Sequence, residues 1–219
     1  KEIILVTSGA IGVGAGKLGL TERPVTTEGK QAAAAVGQCE LMFIYDKFFG
    51  EYNRTVAQVL LTGDVIANEH NKINTQNTFS ELLKMGVIPV VNENDTVAVD
   101  ELAGNQIGDN DTLSSIVARL VDADLLVILT DIDGLYDGNP RKNAKAKRIP
   151  YVPHITDDIR QIAGGAGSAR GTGGMRTKVE AACSANAGGI TCCVMSGAVP
   201  EKLYDLFEGA QIGTIFGEN

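Results

Sequence analysis

The chain has 219 residues, which suits one large domain or two small ones. Hydrophobic residues make up 44% of it and charged residues 21%, a composition typical of a globular protein and not of a disordered one. The formal net charge of -8 at pH 7 disfavours nucleic acid and anionic membrane surfaces as main partners, and no apolar run approaches the roughly 20 residues of a membrane span.

Short apolar runs alternate with helical patterns along the chain. The apolar runs predict buried strands over residues 2–7, 56–62, 87–92, 124–130 and 190–195. Apolar residues at helical spacing predict helices over residues 30–49, 71–85, 111–122 and 175–187. Strands that are apolar on both faces and separated by helices indicate a parallel sheet with helices on both sides. Because ligands bind beyond the carboxyl ends of such strands, the stretches that follow the strands are the candidate sites.

The stretch SGAIGVGAGKLG, residues 8–19, follows the first predicted strand and contains the spacing Gly14-x-Gly16-x-x-Gly19. A dinucleotide fingerprint begins at the turn from strand to helix and is followed by an acidic residue about 20 residues on. This match begins seven residues after the predicted strand ends, and no such acidic residue follows. It is not a P-loop either, because Lys17 is followed by leucine. A dinucleotide site is therefore disfavoured.

The better-placed part of this stretch is the small-residue turn Ser8-Gly9-Ala10, directly after the strand. Such a turn can present backbone N–H groups to an anion at the start of a helix. The alternative is a glycine turn that serves only tight packing.

The stretch NENDTVAVDELAGNQIGDND, residues 92–111, holds six carboxylates together with several side-chain amides. Amides can bind both the ammonium and the carboxylate of an amino acid, and a carboxylate can hold a cation or orient a lysine. The alternative is a polar loop with a helix N-cap at Asp109 or Asp111. The stretch contains no histidine, which disfavours a histidine-based metal site.

Three further stretches follow along the chain. TDIDGLYDGNP, residues 130–140, offers Asp131 and Asp133 as metal ligands or as part of a loop over a nucleotide, without the acidic twelfth position of a calcium loop. RKNAKAKR, residues 141–148, is a nucleic-acid patch or a solvated loop, and the acidic chain around it favours the loop. GSARGTGGMRTK, residues 167–178, is a flexible linker or a glycine-rich loop that cradles phosphate and places a lysine at the transferred group.

The four cysteines, Cys39, Cys183, Cys192 and Cys193, lack metal-binding spacing. We expect buried, reduced thiols of a cytoplasmic protein.

Seven motifs in one order resemble the amino acid kinase family and span residues 2–216. They are VTSGAIG, KQAAAAVGQ, NENDTVAVDE, GDND, LTDIDGLYD, GTGGMRTK and the terminal IGTIF. The resemblance implies an α/β fold, a three-layer αβα sandwich with a mainly parallel open sheet, as one kinase domain over residues 1–219. NENDTV followed by GDND is not expected in the related kinases of acetylglutamate, aspartate, carbamate or UMP. The resemblance therefore implies ATP-dependent phosphorylation of the γ-carboxylate of L-glutamate, the first step of proline biosynthesis, with Mg²⁺ bridging the ATP phosphates.

The resemblance also assigns residues to two sets. L-Glutamate would lie against Ser8, Asn92, Asp95, Asp109 and Asn110. ATP would lie against Thr130, Asp131, Gly171, Thr172, Gly173, Gly174, Met175 and Lys178. In the transfer, Lys178 would offset charge on the transferred group, Asp111 would orient lysine side chains, and Gly9 would lie near the phosphoryl group. No protein ligand is assigned to the metal.

The sequence departs from the family pattern at both ends. The family has an earlier strand, with a Gly- and Ser-bearing turn and a second catalytic lysine, so either these residues precede Lys1 or the chain is an inactive fragment. Many relatives carry a C-terminal RNA-modification-type (PUA) domain, which we do not expect within a chain that ends at Asn219. We further expect a homo-oligomer, dimer or tetramer, with no membrane or nucleic-acid partner. A sensor of amino acids or nucleotides with a degenerate kinase fold is the alternative, favoured by the missing lysine and disfavoured by the intact Asp111 and Lys178.

Overall fold

Two groups of strands organise the protein, whose computed structural model describes residues 1–97, 109–140, 142–164 and 174–218. The chain divides into two compact units, Lys1–Leu113 and Ser114–Asn219. The single kinase domain expected over residues 1–219 stays a prediction.

The first unit is built on a three-stranded parallel sheet with the order β1-β3-β2. Its elements are β1 (Leu5–Val6), α1 (Ala10–Lys17), α2 (Thr27–Gly50), β2 (Val56–Leu61), α3 (Asp64–Ala67), α4 (Glu69–Lys84) and β3 (Ile88–Glu93), followed by the start of α5 (Asn110–Leu120). The central strand β3 carries Val90 and Val91, both fully buried. Leu5 pairs with Val90, and Val56 pairs with Ile88.

The second unit is built on a four-stranded sheet with the order β4-β6-β7-β5. Its elements are β4 (Leu125–Thr130), β5 (Tyr151–Val152), α6 (Asp157–Ala163), α7 (Gly174–Asn186), β6 (Thr191–Ser196), α8 (Lys202–Phe207) and β7 (Thr214–Phe216). The pairs β4–β6 and β5–β7 are parallel, whereas β6–β7 is antiparallel. The core of this unit lies between β6 and α7, where Cys192, Val194, Val179 and Ala182 are fully buried.

The first strand is shorter and more exposed than the sequence predicts. The prediction of a buried strand over residues 2–7 is wrong for residues 2–4, since β1 covers only Leu5–Val6 and Ile3 is 48% exposed. The reason is its position, because among the described strands β1 pairs only with β3. The other predicted strands and helices are present with ends that shift by a few residues.

Two glycines of the dinucleotide-like spacing, Gly14 and Gly19, serve helix packing and chain reversal. A Cβ on Gly14 would overlap the Ala33 carbonyl of α2, and a Cβ on Gly37 would overlap the Ala10 carbonyl of α1. Helices α1 and α2 therefore cross backbone to backbone at these two glycines. Gly19 has a φ of +66°, which glycine adopts readily where the chain turns after α1.

The cysteines differ in burial, so the expectation of four buried thiols is wrong for two of them. Cys192 and Cys193 are fully buried, Cys183 is half-buried and Cys39 on α2 is exposed. All four are free thiols. Burial raises the pKa of the Cys193 thiol to about 11. Cys39 is exposed because α2 presents it on the side opposite its packed face.

Candidate active site

Several predicted substrate residues lie at the carboxyl edge of the first sheet. The three strands are parallel, so β1, β3 and β2 all end at this edge. The Thr7 N–H donates to the Val91 carbonyl at 2.9 Å, and the Asn94 N–H donates to the Leu61 carbonyl at 2.7 Å. These bonds extend the pairing beyond the strands and hold the chain that carries Ser8 beside the chain that carries Asn92 and Asp95.

The turn between β1 and α1 depends on the backbone of Gly9. This residue has a φ of 100° and a ψ of 1°, a left-handed conformation at the N-cap of α1. A Cβ there would meet no atom within 4 Å, so glycine is favoured by its conformation and not by lack of space. Ser8 and Gly9 are exposed, and no described side chain caps the first turn of α1. An anion at this turn stays a prediction.

Asn92 is a buried amide at the end of β3, 3% exposed. Its Oδ1 accepts a hydrogen bond from the Glu93 N–H at 2.9 Å, and its Nδ2 donates to Gln38 Oε1 at 3.0 Å. Gln38 lies on α2 and is itself buried. Sequence reasoning did not select Gln38, although it ends the motif KQAAAAVGQ. The sequence feature that could have identified it is a polar amide within an alanine-rich helix.

Two partly buried carboxyl groups follow Asn92. Burial raises the pKa of Glu93, and the neighbouring charge of Asp95 raises it further. Burial also raises the pKa of Asp95, while the positive charge of Arg23 opposes part of that shift. A cation bound beside these two carboxyl groups would favour their charged forms and offset part of the cost of their burial.

The second half of the predicted substrate set lies at the start of α5. The Asp109 carboxylate accepts a hydrogen bond from the Thr112 N–H at 2.7 Å, which is the N-cap arrangement considered in the sequence. Asn110 and Asp111 occupy the first turn of the helix and are half-buried. Residues 98–108, with the other two carboxylates of the stretch, lie outside the described residues.

The predicted nucleotide residues lie in the second unit. Thr130 ends β4, and its carbonyl accepts a hydrogen bond from the Gly197 N–H after β6 at 2.8 Å. Its hydroxyl donates to Asp131 Oδ1 at 3.3 Å, and Asp131 is exposed. Both residues thus lie at the carboxyl ends of the neighbouring parallel strands β4 and β6, where the sheet rule places ligands.

Helix α7 carries the rest of the nucleotide set that is described. It begins at Gly174, and Met175 packs against the core of the second unit. Lys178 is half-buried one turn later. The predicted Gly171, Thr172 and Gly173 lie outside the described residues.

Two other stretches singled out in the sequence have structural roles. Asp133 accepts a hydrogen bond from the Tyr136 hydroxyl at 2.9 Å. In the basic run, the described lysines are exposed. Arg148 donates to the Gly213 carbonyl at 2.9 Å, which ties the run to the start of β7. The described part of the run, residues 142–148, is thus a largely exposed loop in which Arg148 has a structural role.

Thr214 is a buried structural residue that sequence reasoning missed. Its hydroxyl accepts from the Leu135 N–H at 2.8 Å and donates to the Ile149 carbonyl at 2.7 Å, so one side chain joins three segments of the second unit. It lies in the motif IGTIF, which was noted only as part of the family resemblance. Within the described residues, no helix has the length and apolarity to cross a membrane.

The model of the amino acid kinase family matches residues 1–196 of this chain. The chain belongs to the amino acid kinase family. The predicted resemblance is thereby confirmed. Within the family, the chain is 56% identical over 217 residues to a glutamate 5-kinase of Clostridium perfringens, which covers 99% of this chain and 81% of that relative. It is 53% identical to a glutamate 5-kinase of Caldanaerobacter subterraneus, of which it spans 57%.

Solved structures of amino acid kinases confirm the fold. Carbamate kinase from Giardia lamblia bound to AMP-PNP matches with a TM-score of 0.67 at 16% identity, covering 100% of this chain and 84% of that one. Isopentenyl phosphate kinase of T. acidophilum matches with a TM-score of 0.61 at 16% identity, covering 98% of this chain and 83% of that one. The predicted fold class, a three-layer αβα sandwich with mainly parallel strands, is correct.

Proposed function

We propose that this amino acid kinase transfers the γ-phosphoryl group of ATP to the γ-carboxylate of L-glutamate, giving γ-glutamyl phosphate and ADP in the first step of proline biosynthesis. The observation that carries the proposal is the 56% identity, over 99% of the chain, to a relative named glutamate 5-kinase. The convergence of Ser8, Asn92 and Asp95 at one sheet edge adds support.

The chemistry of the step fits residues that stabilise charge. An oxygen of the γ-carboxylate attacks the γ-phosphorus, and the bond to the bridging oxygen breaks, with its electron pair leaving on ADP. The carboxylate is already deprotonated at neutral pH, so no strong general base is needed. The obstacle is repulsion between two anions, which preorganised cations and N–H groups offset. The family resemblance supports three roles here: Lys178 offsets charge on the transferred group, Asp111 orients lysine side chains, and Gly9 belongs to the turn at the reacting end.

The residues proposed to bind L-glutamate include a carboxylate for its ammonium group and amides for its other polar atoms. Asp95 suits the α-ammonium group, because that cation would offset the burial of its carboxylate. The amides of Asn92 and Asn110, with Ser8 and Asp109, suit the remaining polar atoms of L-glutamate. Each of these roles is a proposal that rests on the family resemblance and on the polarity of the side chain.

The nucleotide set suits ATP that carries Mg²⁺. Among the described residues no group of three or more His, Cys, Asp or Glu side chains could form a metal cage. Mg²⁺ in kinases is held largely by substrate phosphates and water, which requires no such cage. On the family resemblance we assign the metal to the ATP phosphates, and we assign Thr130, Asp131 and residues 171–178 to the nucleotide.

Release of ADP by the full-length protein tests the function directly. We expect ADP release that requires L-glutamate, ATP and Mg²⁺ together and that is lost when L-aspartate or carbamate replaces L-glutamate. Binding of L-glutamate without ADP release would instead support a sensor. Turnover with another acceptor, such as acetylglutamate or UMP, would contradict the proposed substrate.

The cellular setting is also a proposal. We place the protein in the cytoplasm as a homodimer or homotetramer. Exposed aromatic side chains near the end of α2 support self-association, because Phe43 and Phe48 are each 59% exposed and Tyr52, just beyond the helix, is 77% exposed. Sedimentation of the full-length protein measures its subunit number, and a monomer at micromolar concentration would contradict this part.

A further inference from the structure

One buried polar group of the first unit lacks a hydrogen-bond partner among the described residues. It is Nε2 of Gln38, whose side chain is 8% exposed. A buried donor without an acceptor costs about 1–3 kcal/mol, so such groups are rare in folded proteins. An acceptor outside the described protein atoms is therefore expected.

The orientation of this amide is fixed by the backbone. The Glu93 N–H can only donate, so the atom of Asn92 that it meets at 2.9 Å is the oxygen, Oδ1. The Asn92 nitrogen then faces Gln38, and the atom it meets at 3.0 Å must be Oε1. If the side-chain amide of Asn92 or Gln38 were rotated by 180°, two donors or two acceptors would face each other. The free group of Gln38 is consequently a donor, and its N–H needs an acceptor.

The position of Gln38 links it to the candidate substrate edge. Its neighbour Gly37 lies against the Ala10 carbonyl, one residue beyond the turn at Gly9. Seven residues further along α2, the Tyr45 hydroxyl lies 2.8 Å from Thr7 Oγ1 at the end of β1. Gln38 therefore lies on the face of α2 that covers the ends of both β1 and β3.

We propose that Gln38 contacts the substrate: its Nε2 N–H donates a hydrogen bond to a carboxylate oxygen of bound L-glutamate, while its Oε1 holds Asn92 in place. The inference rests on the proposed function. A carboxylate is the strongest acceptor that this substrate brings, and a hydrogen bond to a charged group contributes more than one to a neutral group. The same contact removes the cost of the unpaired donor.

The variant Gln38→Glu separates the two roles of the side chain. It keeps an oxygen for the Asn92 amide to donate to and replaces the donor with an acceptor that repels a carboxylate. At alkaline pH we expect the dissociation constant for L-glutamate, measured by calorimetry, to rise about 10- to 100-fold. The dissociation constant for a non-hydrolysable ATP analogue should stay within about two-fold, because the effect is confined to one substrate. Gln161→Glu, the same change at an exposed position on α6, should leave both constants unchanged.

Gln38→Met provides the test if the first variant does not fold. Methionine fills a similar volume without a donor or an acceptor, and it should also weaken L-glutamate binding selectively. Either folded variant with unchanged affinity for L-glutamate overturns the inference, as does a loss that is equal for glutamate and nucleotide. If the unmodified protein itself binds no L-glutamate, the proposed function fails first, which distinguishes the two failures.

Amide analogues of the substrate identify which carboxylate is contacted. L-Glutamine replaces the γ-carboxylate with an amide, and L-isoglutamine replaces the α-carboxylate. An amide N–H at the contacted position can donate to the carboxylate that Gln38→Glu introduces. We expect this variant to lose affinity for only one of the two analogues. Equal losses for both analogues would contradict the direct contact.

Discussion

Among single residues, the half-buried carboxyl groups of Glu93 and Asp95 combine burial with negative charge. The pKa of each lies above its usual value, mainly because of burial. The folded state therefore binds these protons more tightly than the unfolded state. Their contribution to stability is present at low pH and is lost as the pH rises through the folded-state pKa values. A substrate ammonium group would offset this cost at neutral pH.

Asp95→Asn should accordingly weaken the binding of L-glutamate without lowering the stability of the fold at neutral pH. We expect the KM for L-glutamate to rise about 10- to 100-fold through loss of a charge-assisted hydrogen bond, with little change in the KM for ATP. At neutral pH the variant should resist urea at least as well as the unmodified protein, and its advantage should shrink as the pH falls. Steady-state kinetics and urea titrations at several pH values measure both effects. The control is Asp122→Asn, on an exposed residue whose φ of 53° asparagine tolerates. An equal rise in both KM values would indicate a structural role for Asp95.

Lys178→Met should lower kcat by about 10²–10³-fold while the fold is kept, because it removes a cation directed at transition-state charge. The control is Lys202→Met, at an exposed position at the start of α8. Single-turnover kinetics and circular dichroism measure the two properties. A kcat within a few-fold of the unmodified value would refute the proposed role of Lys178.

At the scale of elements, the crossing of α1 and α2 positions the candidate edge. The Gly14 and Gly37 contacts bring α1 close to α2, and α2 carries Gln38 to the end of β3. Since Gly9 is the N-cap of α1, a shift of this helix would also move the turn at the candidate site. The close packing of α1 against α2 at Gly14 and Gly37 therefore helps to set the positions of Gly9 and Gln38 at the candidate site.

Gly14→Ala and Gly16→Ala provide a matched pair on the same helix. Gly14→Ala should lower the free energy of unfolding by about 1–3 kcal/mol, because the new methyl group overlaps backbone and not a movable side chain. Gly16 faces open space, so Gly16→Ala should raise stability by up to about 1 kcal/mol through helix propensity. Urea unfolding measures both changes. Equal effects of the two substitutions would mean that the helices do not approach closely at Gly14.

Sequence periodicity identified the long elements and, apart from β1, missed the short ones. Helices α2 and α4 and strands β3 and β6 have enough residues for an apolar pattern to emerge. Strands of two or three residues, such as β5, depend on a partner distant in the chain, since Tyr151 pairs with Ile215. The residues at the carboxyl edge of the first sheet differ in the same way, since some have a local sequence signal and others depend on a distant partner. Turn-forming residues after a strand marked the loop as a candidate site, and the family resemblance assigned Asn92 and Asp95 within it. Gln38 had no such local signal, because its hydrogen bond to Asn92 joins residues 54 positions apart.

For the whole molecule, the candidate residues divide between the two units. The residues proposed for L-glutamate all lie within Lys1–Leu113, and those proposed for ATP all lie within Ser114–Asn219. Each unit has its own sheet, and in each the candidate residues include the ends of parallel strands. The two substrates should therefore be separable by substitutions confined to one unit.

Thermal unfolding with each ligand tests this division. L-Glutamate at about 100 times its Kd should raise the free energy of unfolding by about 2.7 kcal/mol. Asp95→Asn should require a much higher glutamate concentration for that gain and should respond normally to a non-hydrolysable ATP analogue. A variant that lost both responses would show that Asp95 supports the whole fold and not one ligand.

The uneven burial of the cysteines offers a practical route to the substrate site. Thiol reagents attack the exposed thiolate form, so Cys192 and Cys193 are protected by burial, and Cys193 also by its raised pKa. Cys39 is exposed and directly follows Gln38 in α2. A fluorescent dye attached to Cys39 would therefore sit outside the helix while its neighbour faces inward. Its emission would report substrate binding in real time, with the half-buried Cys183 as the competing thiol.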